Sequence, residues 1–149
     1  MSARKLELVH EFDVPVEGLM EAFTQEAHLR QWWGPEGASV YHCEFRPEVG
    51  ADWRIGVTTS DGQKRDVFGT VTRVEPALIS FTWCWAHVDP ETGTTEVTLM
   101  FEPISAVRSR LTLTQGEFSE PATGDAHQVG WLSSFNSLDH FVRASGTGD

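Results

Sequence analysis

His42 and Glu44 stand two residues apart in a stretch, Ser39 to Arg46, that reads as a strand, so both side chains project from one strand face. On a pocket wall a His/Glu pair can move a proton; on an open face it is a solvated surface contact. Alternation alone leaves open which side is inward, that of His42, Glu44 and Arg46 or that of Tyr41, Cys43 and Phe45. A metal would need a third ligand, and none lies near in sequence, so no metal is expected. His127 falls on an apolar stripe one turn before Trp131. It reads first as a brace for a helix start and second as a cavity base or hydrogen-bond donor. Cys84 has no neighbouring base to make it a nucleophile and reads as a small core hydrophobe. Trp32-Trp33-Gly34-Pro35 offers amphipathic rings that suit either a cavity mouth or a rigid corner; Trp33 reads as the corner, while Trp32 fits both. There is no Ser-centred elbow, phosphate loop or dinucleotide fingerprint, so no catalytic motif and no cofactor are expected.

The element that must position these residues is a C-terminal helix, predicted over Asp125 to Arg143. His127, Trp131, Phe135, Leu138 and Val142 recur at helical spacing, with Ser134 and Phe141 widening the stripe. Such a helix is roughly 28 Å long at ~1.5 Å per residue. Polar starters at Thr123-Gly124-Asp125 open it, and Gly146 and Gly148 are expected to close it. Two short helices, Val16 to Phe23 and Gln25 to Gln31, are predicted near the N-terminus, with Thr24 as a cap for the second. The rest reads as strands punctuated by Pro, Gly and Asp-Gly. They are Lys5–Phe12, Ser39–Arg46, Asp52–Thr59, Lys64–Val74, Leu78–His87, Thr95–Glu102 and Ser109–Gln115, with a polar loop over Phe118–Gly124. Alternation groups Trp53, Ile55 and Val57; Ile79, Phe81, Trp83 and Trp85; Val97, Leu99 and Phe101; and Leu111 with Leu113. An apolar helix following a long antiparallel sheet has one burial partner, the concave face of that sheet. The fold class expected is α+β: a seven-stranded curved antiparallel sheet around a long C-terminal helix, plus two short helices, in one domain over 1–149.

Composition narrows the function. The chain has 22 acidic and 11 basic residues, a net charge of −11, and its longest basic cluster is Lys64-Arg65 at a predicted turn. Such a surface repels phosphate backbones and anionic bilayers, so nucleic acid and membrane are not expected partners. Two isolated cysteines, with no apolar leader, point to a reducing cytoplasm. Six Trp and nine Phe against one Tyr supply large apolar rings that can fill a core or line a cavity.

Three local motifs then carry a resemblance. Phe12-Asp13-Val14-Pro15, Glu21-Ala22-Phe23-Thr24 and Gln31-Trp32-Trp33-Gly34-Pro35-Glu36-Gly37 form the first. Phe45-Arg46-Pro47 with Gly50 and Trp53-Arg54 form the second, and His127, Gly130 and Trp131 the third. Together they resemble the family of homologues of the activator of the Hsp ninety ATPase, within the START-like (SRPBCC) helix-grip superfamily, from about Leu6 to Phe141. The sequence departs from that pattern at Met20, at Glu48-Val49 and at Gln115, where the family commonly has an aromatic residue, a Pro-Gly-Gly turn and a His.

The resemblance implies the helix-grip fold but does not choose among the superfamily's carriers, receptors and cyclases. The leading expectation is a module that binds a small apolar molecule between sheet and helix. Its cavity residues are expected to be Trp32, His42, Trp53, Phe81, Trp83, Trp85, His127, Trp131 and Phe135, with Arg54, His42 or His127 as polar anchors. The alternatives are a chaperone-ATPase-activating interaction protein, and a cyclase- or hydrolase-like enzyme using a His/carboxylate pair. The named co-chaperone's second domain has no counterpart here, which weighs against full activation. A homodimer through Trp32-Trp33 and the first strand is also expected.

Overall fold

The computed structural model describes residues 4–118 and 121–147. Its elements in order are β1 (Arg4–Phe12), α1 (Val16–Thr24), α2 (Glu26–Trp32), β2 (Ser39–Glu44), β3 (Asp52–Thr58), β4 (Lys64–Glu75) and β5 (Leu78–Trp85). There follow α3 (Pro90–Gly93), β6 (Thr95–Ser105), β7 (Arg108–Phe118) and α4 (Pro121–Thr147). The seven strands form one sheet in the order β1-β7-β6-β5-β4-β3-β2, and every pairing is antiparallel. Strands β2 to β7 are thus a meander, with β1 added beside β7. Register shifts at Arg4/Leu6, Val40/His42, Val71/Arg73 and Pro103/Ser105 bend the ladder, since a bulge adds a residue on one strand and increases the local twist. The sheet curves around α4, and α1 and α2 close the space between its ends. This is the helix-grip architecture.

The local chemistry explains most boundaries. Pro15 precedes α1, where its carbonyl accepts from Leu19 N at 3.1 Å and its missing N–H has no helical partner to lose. Gly18 has a positive role: a Cβ there would stand 2.7 Å from Val14 Cγ2. Thr24 does not cap α2; its hydroxyl donates back to the Met20 carbonyl at 2.9 Å and closes α1 instead. The Trp32 indole donates to the Ala22 carbonyl at 2.8 Å, and Glu26 Oε2 accepts from Phe45 N at 2.8 Å. Together these bonds lock the two short helices to each other and to the end of β2.

Helix α4 is longer than the spacing predicts. It has 27 residues, about 40 Å, beginning at Pro121 inside the expected loop and passing through Gly146. Ser119 and Glu120 of that loop, and Gly148 of the expected stop, lie outside the described residues. Strand β6 likewise continues past Pro103. The Phe101 N–H points toward the β5 side, to Ala77 O at 2.9 Å, and Pro103 shares that direction two residues on. Strand β5 pairs no further than Leu78 with Met100, so the missing proline N–H costs the ladder nothing.

The alternating rows face inward as expected, with Trp53, Ile55, Val57, Ile79, Phe81, Trp83, Val97, Leu99, Phe101, Leu111 and Leu113 all buried. On β1, Leu6 and Leu8 are buried and Val9, between Leu8 and His10, is 58% exposed, as alternation requires. On β2 the inward side is that of Cys43 and Phe45.

Candidate functional site

Helix α4 presents one continuous face to the sheet, but that face does two different things along its length. Phe135, Leu138 and Val142, in its C-terminal half, are buried in solid core. Phe135 meets Phe12 edge-on at 5.9 Å, and His10 Nε2 lies 3.1 Å from Asp139 Oδ2, tying β1 to the helix. In the N-terminal half, His127, Gly130, Trp131 and Ser134 face a cavity of about 560 Å³. Val57 and Thr59 at the end of β3, Arg65 and Val67 at the start of β4, and Trp83 and Trp85 at the end of β5 form the opposite wall. Trp33-Gly34-Pro35 closes one side, and Glu36 N donates to Ser133 Oγ at 2.9 Å, holding that segment against α4. Gly34 takes φ +99° at this corner, a left-handed conformation that suits glycine, and a Cβ there would press on Val57 Cγ1 at 3.3 Å.

The floor is a stack of indoles. Trp83 has ring centroids 5.2 Å from Trp131, 5.8 Å from Trp33 and 5.8 Å from Trp53. Trp131 is 5% exposed, and its indole donates to Gln115 Oε1 at 2.8 Å. Gln115 is fully buried and passes the chain on, donating through Nε2 to Thr95 Oγ1 at 2.9 Å. The departure at Gln115 is therefore what satisfies the tryptophan. Trp83 Nε1 is buried with no hydrogen-bond acceptor among the described residues.

His127 is committed on both sides. Its Nδ1 lies 2.8 Å from the Thr123 carbonyl, which can only accept, and its Nε2 receives the Trp85 indole N–H at 2.9 Å. Those partners require the neutral ring with the proton on Nδ1. Burial pushes its pKa below the usual histidine value, with the Thr123 bond opposing in part. His127 thus braces the helix start and pins β5 to α4, with neither nitrogen free for a proton-transfer role.

Of the expected cavity residues, the structure brings together Trp83, Trp85, His127 and Trp131. The others lie elsewhere. Trp32 is buried between α1 and α2, and Trp53, Phe81 and Phe135 are buried in the filled part of the core. His42 is on the outer face, 41% exposed and 2.9 Å from Glu44 Oε1, because the inward side of β2 is that of Cys43. Arg54 is also outside, paired with Asp66 at 2.9 Å, so neither residue anchors a ligand here. The homodimer expectation loses its main surface, since Trp32 and Trp33 are both buried. Trp33, read from sequence as a corner, is both corner and cavity wall.

Arg65 and His87 on the lining have no cavity role in the sequence reading, and Gly130 enters it only as part of a motif. The signal was present for Arg65: the Asp61-Gly62 turn pairs it with Val57, and Val67 and Val71 follow it on the same face. Among the described residues no group of three His, Cys, Asp or Glu is placed to hold a metal, and no helix is long and apolar enough to cross a membrane.

The family model described as "Activator of Hsp90 ATPase homolog 1-like protein" matches residues 13–143. The AHSA1 protein from Silicibacter pomeroyi is 30% identical, with a TM-score of 0.84 over 95% of this chain and 99% of that one. A protein from Rhodobacter sphaeroides is 26% identical, with a TM-score of 0.79 over 96% and 95%. One from Chromobacterium violaceum shares the fold at 22% identity, with a TM-score of 0.81 over 93% and 96%. No curated protein matches the sequence.

Proposed function

The chain belongs to the family of Activator of Hsp90 ATPase homolog 1-like proteins, and from that premise we propose that it binds a small, largely apolar molecule in the cavity under the N-terminal half of α4. One observation carries the reading: about 560 Å³ of space, floored by Trp33, Trp83 and Trp131, beside a core that is filled under the C-terminal half of α4. That volume falls in the ~300–1,000 Å³ range of small-molecule sites, which are mostly apolar with a few polar groups. The commitment of both His127 nitrogens favours binding over a cyclase- or hydrolase-like reaction. Buried free thiols at Cys43 and Cys84 fit a reducing, cytoplasmic setting.

Phenylnaphthylamine, an uncharged aromatic probe, should quench the tryptophan emission of this floor and saturate. Gly130→Leu should abolish the effect, because the new side chain enters the cavity: a Cβ on Gly130 meets nothing within 4 Å. Equal binding by both proteins would mean the probe sits elsewhere and would remove the proposal. The family description also supports a chaperone-directed reading. A chaperone ATPase assay with excess of this protein decides it, and absence of stimulation would discard it.

A further inference from the structure

We infer that the ligand of this cavity is an amphipathic anion: an apolar ring body that lies on the tryptophan floor and carries one anionic oxygen group at the Arg65 end. This rests on the cavity being a binding site and adds the chemistry of its occupant. Arg65 is cross-strand partner to Val57 and two residues before the buried Val67, so it stands on the inward face of the sheet. It is an exposed residue on the lining, which puts the guanidinium at the mouth, whereas Trp83 and Trp131 below it are buried.

Arg65 donates to the neighbouring Lys64 carbonyl at 3.1 Å and makes no ion pair among the described residues. Its field reaches Asp61 across the hairpin turn, but that carboxylate is already bonded to the Thr59 hydroxyl. By contrast Arg54, Arg73, Arg108 and Arg110 all sit against carboxylates on the outer surface. Among the described residues the lining holds no Asp or Glu, although acidic residues outnumber basic ones by 22 to 11 in the chain. Among the described residues the one formally charged side chain on the lining is therefore positive, in a protein of net charge −11.

The guanidinium fork matches the two oxygens of a carboxylate or sulfonate. The net negative charge opposes an anion at long range, but at physiological salt that repulsion is screened beyond about 8 Å. Selection thus falls to the group at the mouth.

The test uses two probes with one ring body: anilinonaphthalene sulfonate, and phenylnaphthylamine, which lacks the sulfonate. The quantity read is the ratio of their affinities on one protein, which cancels any general change in cavity shape. The native protein should prefer the sulfonate by about three- to tenfold. Arg65→Gln should remove the preference, Arg65→Glu should reverse it, and Arg65→Lys should restore most of it. If native protein binds the two probes alike, or if Arg65→Gln leaves the ratio unchanged, the anionic assignment is wrong while the cavity reading stands. If neither probe binds, both fall.

Discussion

Trp131 does two jobs with one ring: its face helps floor the cavity, and its N–H is the head of the chain Trp131–Gln115–Thr95. Gln115→Leu leaves two buried polar atoms without partners, which costs about 1–3 kcal/mol. Trp131→Phe strands the Gln115 carbonyl oxygen in the same way. The double variant should cost less than the sum of the two by at least 0.5 kcal/mol, since residues sharing one hydrogen-bond chain are coupled by about 0.5–3 kcal/mol. Additive losses in urea unfolding would show that the contact contributes nothing. His127 supplies a pH dependence. Its folded-state pKa is lowered while the unfolded chain keeps the ordinary histidine value near 6.5. Its stabilising contribution is therefore complete above that value and is lost as pH falls from there through the folded pKa. Protonation would also remove the acceptor that the Trp85 indole uses. Between pH 8 and pH 5 the native protein should lose more stability than His127→Gln, which keeps an acceptor but does not titrate. Parallel curves would overturn the assignment.

At the scale of elements, two glycines show how opposite the demands on one residue type can be. Gly69 in β4 sits where the β4–β5 ladder opens. The Trp53 indole donates to Thr82 O at 3.0 Å, Thr70 N turns to Thr82 Oγ1 at 2.8 Å, and a Cβ on Gly69 would lie 1.9 Å from Thr82 O. Backbone must move to admit it, so Gly69→Ala should destabilise by about 1–3 kcal/mol or more in thermal or urea unfolding. Gly130 in α4 has open space around it, so Gly130→Ala should stabilise by about 0.5–1 kcal/mol through helix propensity alone. From the sequence, the Gly130-Trp131 pair suggests close backbone approach; what the glycine provides instead is cavity volume. The inward rows of β3, β5, β6 and β7 were legible because alternation is a strong local signal. Helix α4 was legible over its apolar stripe but not at Pro121, where proline can mean a turn or a first helical residue and only the tertiary setting decides. Five of the nine expected cavity residues lie elsewhere, and for the four buried ones the reason is related. Periodicity reports which residues face inward, and Phe135, Phe81 and Trp131 all do. It cannot report where inward-facing side chains meet and where they leave space.

Across the whole molecule, packing is continuous from β1 through the C-terminal half of α4 and stops at one end, under Trp33, Trp83 and Trp131. Filling a vacant apolar volume restores dispersion contacts that its walls lack, so a ligand there should stabilise the fold as a whole. The size follows from mass action. At ten times the dissociation constant a ligand bound only by the folded state contributes about 1.4 kcal/mol. For a chain of this length that is a rise in Tm of about 3–6 °C. Gly130→Leu separates this effect from nonspecific binding to apolar surface such as Val107 and Val129, both well exposed. It fills the same space from α4, so the unliganded variant should melt no lower than the native protein, and phenylnaphthylamine should leave its Tm where it is. A probe that raises both melting temperatures equally is binding outside the grip. A probe that raises neither, at concentrations that quench the tryptophans, is binding the unfolded chain as well, and the cavity would then be a packing defect of this fold and not its purpose.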